Sequence, residues 1–120
     1  MKLEIVCPEG LHHTEHKAAL ELEAHLPASW KGYAGFLLPD GQGKALEIDM
    51  LIFAEDRLLL VEFKNWAGEI HMQDKTWIQT TPRGTVRKET SPVDKKRNHA
   101  IRIGTMLNNE LKDRWNAFYE

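Results

Sequence analysis

The chain has 120 residues, 42% hydrophobic and 28% charged, with 18 acidic against 16 basic side chains and a formal charge of −2. That is the length and balance of one globular domain spanning residues 1–120 with its own core, and it excludes a uniformly basic duplex-coating chain; any nucleic-acid contact must come from a local patch. The single cysteine, Cys7, excludes an internal disulfide and a multi-cysteine zinc site, no apolar run approaches a membrane span, and the start has no secretory pattern, so the expected compartment is the cytoplasm.

The first predicted element is a helix over 14–26, with Thr14 as N-cap and Pro27 as its stop. Ala19, Leu22 and Leu26 form its apolar stripe, and Glu15 lies on that stripe one turn earlier, so one carboxylate points inward; Glu21 and Glu23 read as solvated flank. A strand over 33–38 follows, ended by the Pro39-Asp40-Gly41 turn, and then a strand over 46–53. Strict alternation there puts Leu46, Ile48, Met50 and Ile52 on one face and Glu47, Asp49, Leu51 and Phe53 on the other. Glu55-Asp56-Arg57 turns the chain into a third strand over 58–64, apolar on both faces and hence predicted to be central in its sheet. Short strands over 69–72, 77–81 and 85–89 form a meander. Ser91-Pro92-Val93-Asp94 then opens a helix with a cap, a proline in its first turn and an early acid. Its predicted inward stripe is Val93, Arg97, Ala100/Ile101, Gly104, Leu107, Leu111, Trp115 and Phe118.

Chemistry concentrates in Asp49, Glu62 and Lys64, which neighbouring strands bring side by side. Two carboxylates are the hard ligands that Mg2+ prefers, and they leave positions for water and a phosphate oxygen; Lys64 can orient the attacking water and offset phosphate charge. An acid two residues before a lysine occurs four times, at Glu15/Lys17, Glu62/Lys64, Asp94/Lys96 and Glu110/Lys112, so the spacing alone identifies nothing. Only Glu62/Lys64 falls in an apolar predicted strand, where burying ions is costly unless they pair or hold metal. The competing reading is an ordinary ion pair at a sheet end.

Glu47-Ile48-Asp49, the run Val61-Glu62-Phe63-Lys64-Asn65-Trp66-Ala67-Gly68-Glu69-Ile70, Trp77, and Ser91-Pro92-Val93 at a helix start together resemble the nuclease-related domain (NERD) of the PD-(D/E)XK restriction-endonuclease-like superfamily, over residues 15–107. The resemblance implies an α/β fold with a restriction-endonuclease-like core: a mixed central β-sheet flanked by an N-terminal helix and a long C-terminal helix. It also implies a Mg2+-dependent nuclease, with Mn2+ able to substitute. Asp49, Glu62 and the Phe63 backbone carbonyl would bind the metal, Lys64 would assist the water, and Glu15 would complete the site. Ile48 replaces the proline of the superfamily name, and Lys95 or Lys96 replaces a glutamine customary after the helix start. Such domains often open longer proteins carrying a kinase, helicase or other module, several linked to phage defence, so this chain fits the N-terminal part of a multidomain protein.

Lys95, Lys96, Arg97, His99 and Arg102, with Arg83, Arg87 and Lys88 before them, are the only basic concentration and form the predicted DNA-binding patch; the plainer reading is a solvated helix flank. Trp66 and Trp77 fit base stacking or core packing, and Gly68 reads as a backbone requirement. His12 and His16 have the spacing of a transition-metal pair but lack a second pair. Two further functions compete with nuclease activity: a catalytically inactive nucleic-acid-binding or protein-interaction module of the same fold, and a homodimer built on Leu107, Leu111, Trp115 and Phe118.

Overall fold

The computed structural model describes residues 1–39 and 43–119, with side chains through residue 113. Asp40 and Gly41 of the predicted turn, and the Trp115 and Phe118 side chains, lie outside the described residues. A central sheet has the order β1 (Lys2–Ile5), β2 (Lys31–Pro39), β3 (Ala45–Phe53), β4 (Leu58–Val61). β1 runs parallel to β2 while the β2/β3 and β3/β4 pairs are antiparallel, so the sheet is mixed. α1 (His13–His25) is the crossover that a parallel pair requires. A separate three-stranded sheet joins β5 (Glu69–Gln73), β6 (Thr76–Thr80) and β7 (Val86–Thr90), and the 28-residue α2 (Pro92–Tyr119) follows. The architecture is the α/β arrangement expected, with a mixed sheet, an N-terminal helix and a long C-terminal helix.

β1 has no counterpart among the predicted strands; four residues carry too little periodicity, and their pairing partner lies a whole helix away. Its Leu3 N–H donates to Glu23 Oε2 at 2.9 Å, so Glu23 ties α1 to β1 rather than facing solvent. His12, not Thr14, is the α1 N-cap, its ring nitrogen accepting the Thr14 N–H at 3.4 Å. β4 lies at the sheet edge instead of its centre, because the chain beyond it leaves to build the second sheet.

Two buried clusters sandwich the central sheet. Met1, Ala19, Ala34, Met50 and Ile52 form one, joined by Leu22, Leu26, Val61 and Phe63; Leu46, Ile48, Leu51 and Ile103 form the other, joined by Phe36, Leu38, Leu60 and Met106. The predicted alternation along β3 therefore breaks at Asp49, since Ile48 and Met50 pack in different clusters. β2 switches at the same level: Ala34 pairs with Met50 and Phe36 with Ile48, again in opposite clusters. The cause lies at Gly35, whose φ of +71° turns the strand over. A Cβ there would meet Leu11 Cγ at 2.7 Å. Asp49 occupies the crossing point of two strands that change faces.

The inward face of α2 also departs from the apolar stripe. Ile103 is buried and Met106 half-buried, whereas Val93, Ile101 and Leu111 are exposed at 55%, 61% and 64%. Lys96 and His99 belong to the inward side, two turns and one turn before Ile103 respectively. That face looks polar in sequence because it meets an acidic pocket as well as the core. Among the described residues no helix is long and apolar enough to cross a membrane.

Candidate functional site

β4 ends at Val61, three residues before the predicted strand end, so Glu62, Phe63 and Lys64 follow the ladder instead of belonging to it. The reason is local. Met50 pairs with Val61, and at the next level the Phe63 N–H donates at 3.0 Å to Asp49 Oδ2. A side-chain acceptor has replaced the ladder, which frees the Glu62-Phe63-Lys64 segment to wrap the sheet end.

Glu15 of α1, Glu47 and Asp49 of β3, Glu62, Phe63 and Lys64 after β4, and Lys96 of α2 line one cavity of about 180 Å³. Asp49 and Glu62 thus face the same space, together with Glu15. A second cavity of about 350 Å³ shares Glu15, Phe63 and Lys64 and adds His12, Thr14, Ala18 and Asn65. On the other side a cleft of about 610 Å³ runs past Glu62, Lys64, Trp77, Lys96 and Arg97.

The electrostatics follow from crowding like charges where water is scarce. Burial pushes the Asp49 carboxyl up to about 6, against the Phe63 N–H that favours its charge, and the Glu62 and Glu15 carboxylates push the same way as burial. Glu62 is held between two lysines: Lys64 Nζ is 3.6 Å from Oε1 and Lys96 Nζ is 2.9 Å from Oε2. Buried Oε2 thus has the Lys96 ammonium as ion-pair company and makes no hydrogen bond of its own. Among the described residues no three His, Cys, Asp or Glu side chains stand in a preformed metal cage. The carboxylates converge, but Glu62 is engaged by ammonium groups.

The second sheet buttresses this end. Trp66 and Trp77 meet edge-to-face with centroids 5.9 Å apart, and Lys64 Nζ lies 5.9 Å from the Trp66 ring. Gln79, buried in β6, donates to the Ala67 carbonyl at 2.8 Å. Gly68 has φ +91°, and a Cβ there would fall 2.1 Å from the Thr80 carbonyl oxygen. Its backbone requirement comes from the approach of β6, and the two tryptophans pack on one another.

A family model described as nuclease-related domain (NERD) matches residues 11–118. The chain belongs to that family. This nuclease-related domain is also 34% identical over 64 residues to the "Probable kinase PglW" of Streptomyces coelicolor (strain ATCC BAA-471 / A3(2) / M145), a match covering 53% of the chain and 4% of that relative. The chain thus corresponds to a small part of the relative's length. No solved structure matches it.

Within the nuclease-related domain, the basic patch divides. Lys95 and Arg87 are exposed, and Arg97 pairs with Asp94 at 3.6 Å. Lys96 turns into the acidic cavity, its Nζ 3.4 Å from His99 Nδ1 and donating at 3.4 Å to the Glu47 carbonyl. Burial, then the Lys96 and Arg102 charges, holds His99 below the usual imidazole range. Arg102 is half-buried beside them. Composition identified the lysines as basic but could not show that Lys96 points at Glu62; its place one turn into α2, on the Ile103 side, carries that information.

Proposed function

We propose that this nuclease-related domain hydrolyses phosphodiester bonds of DNA with Mg2+, or Mn2+ in its place. The observation that carries the reading is the cavity into which Glu15, Asp49 and Glu62 converge from three chain segments beside Lys64. The donor set fits a hard divalent ion: Asp49 is crowded by like charges, and Glu62 Oε2 is buried without a hydrogen-bond donor. Asp49, Glu62 and the Phe63 carbonyl would hold that ion, and Glu15 a second ion or its water. When bound, the ion supplies positive charge to the scissile phosphate and lowers the pKa of a water.

The other steps belong to the chain's own residues. Asp49 is fixed by the Phe63 N–H, which holds its carboxylate beside Glu62 in the lining of the cavity. Lys64, 39% exposed and beside Trp66, reaches the solvent side, where it orients the attacking water and offsets charge growing on the phosphoryl oxygens. The exposed Lys95 and Arg87 contact the DNA backbone away from the reacting phosphate. We read the domain as the nuclease module of a larger phage-defence or nucleic-acid-processing protein, with support from the small share of the relative that it covers.

The test is Mg2+-dependent cleavage of a DNA substrate by the wild type, Asp49→Ala and Lys64→Ala. Loss in both variants with the fold intact supports the assignment; cleavage surviving in both refutes it. One observation favours a second reading, a non-catalytic binding module: Lys96 already neutralises Glu62 at 2.9 Å. Failure of the wild type to bind Mn2+ at millimolar concentration selects that module.

A further inference from the structure

Of the two lysines on Glu62, Lys96 is the nearer and the more enclosed. Its side chain is 20% exposed against 39% for Lys64, and it lies 2.9 Å from the carboxylate against 3.6 Å. Its placement is built in from several directions. Ser91 Oγ accepts the Asp94 N–H at 3.4 Å and the Ser91 N–H donates to the Lys75 carbonyl at 2.8 Å, so the β5–β6 turn fixes where α2 begins. Further along, buried Ile103 fixes how α2 is rotated about its axis. The ammonium thus held meets Glu62 Oε2, the Glu47 carbonyl oxygen and His99 Nδ1. That is an oxygen-rich set of the kind a small hard cation selects, filled by a side chain.

We propose that Lys96 is a positioning residue that serves as the resident counter-cation of the acidic cavity, and that a divalent ion must displace it from Glu62 Oε2 to bind. The inference rests on the metal-dependent reading above and adds a competitor to it. An ammonium and a divalent ion on the same carboxylate oxygen repel strongly where water is scarce, so they alternate. In the metal-free protein Lys96 keeps Glu62 turned into the site and its buried charge compensated. Once displaced, its flexible stem leaves the ammonium in the cleft beside Trp77 and Arg97, where an incoming phosphate would meet it.

The experiment is calorimetric titration of Mn2+ alone into the full chain as wild type, Lys96→Met and Lys96→Arg, with urea unfolding to verify the fold. Lys96→Met should bind Mn2+ at least about tenfold more tightly, because the competing charge is gone, while Lys96→Arg should stay within about threefold of wild type. Equal or weaker Mn2+ binding by Lys96→Met, with the wild type still binding, overturns the competition and leaves the metal site standing. Absence of binding in all three chains overturns the metal reading and this inference with it. A second measurement follows the wild type directly: its Lys96 ammonium resonance, assigned by its loss in Lys96→Arg, should shift on adding Mg2+. An unmoved resonance at saturation refutes displacement.

Discussion

Asp49 Oδ2 accepts the Phe63 N–H at 3.0 Å, and with that bond the β3/β4 ladder stops and the site segment begins. One oxygen of this carboxylate thereby fastens the chain that carries Glu62 and Lys64, while in the proposed function the same carboxylate would hold the metal ion. The two roles separate by substitution.

Asparagine keeps an acceptor for the Phe63 N–H and removes a charge crowded by Glu62 and Glu15. Metal-free Asp49→Asn should therefore be at least as stable as wild type at pH 7. Asp49→Ala strands a part-buried donor and should lose about 1–3 kcal/mol. Both should lose Mn2+ binding. Urea unfolding and calorimetry on the same samples check this.

Because the Asp49 carboxyl titrates near 6 in the folded chain against 3.8 in the unfolded one, the folded chain holds a proton there that the unfolded chain has already released. Stability from this group is complete below the unfolded value and is lost as pH rises towards the folded one. Urea midpoints in chelator should show the Asp49→Asn variant gaining on wild type as pH increases, levelling off near pH 7. Mn2+ affinity should run the other way, falling about tenfold for each pH unit below the folded value as protons compete.

Much of this was legible in residue patterns, and the misses share a cause. Ser91-Pro92-Val93-Asp94 carries its own stop-and-start chemistry, as does the Glu55-Asp56-Arg57 turn, closed by the Ala54 N–H donating to the Arg57 carbonyl. The carboxylates and Lys64 stood out as ions in apolar surroundings. What sequence could not show depends on partners distant in the chain. β1 exists because β2 is beside it, β4 ends because the Asp49 side chain takes the Phe63 N–H, and the alternation along β3 breaks because Gly35 turns over the neighbouring strand. Lys96 reads as a surface charge until Glu62 is placed opposite it.

Gly68→Ala tests the coupling of the second sheet to the site. The added methyl would lie 2.1 Å from the Thr80 carbonyl oxygen at a φ of +91°, so both space and backbone forbid it. A loss of more than about 2 kcal/mol is expected. Tryptophan fluorescence should change with it as the Trp66–Trp77 pair loosens.

Charge reversal tests the proposed DNA contact without touching the cavity. Lys95→Glu and Arg87→Glu should each weaken DNA binding and reduce its salt dependence by about one counterion. The exposed Lys112 on distal α2 provides the control, and Lys112→Glu should leave binding unchanged. Filter binding or fluorescence anisotropy across a salt series reads both quantities.

The most direct measurement is an anomalous difference map from a crystal soaked in Mn2+. One strong peak is expected within about 2.0–2.2 Å of oxygens from both Asp49 and Glu62, with Lys96 withdrawn from Glu62. A map with no peak there at saturating Mn2+, or with the ion bound elsewhere on the chain, would contradict the proposed metal site.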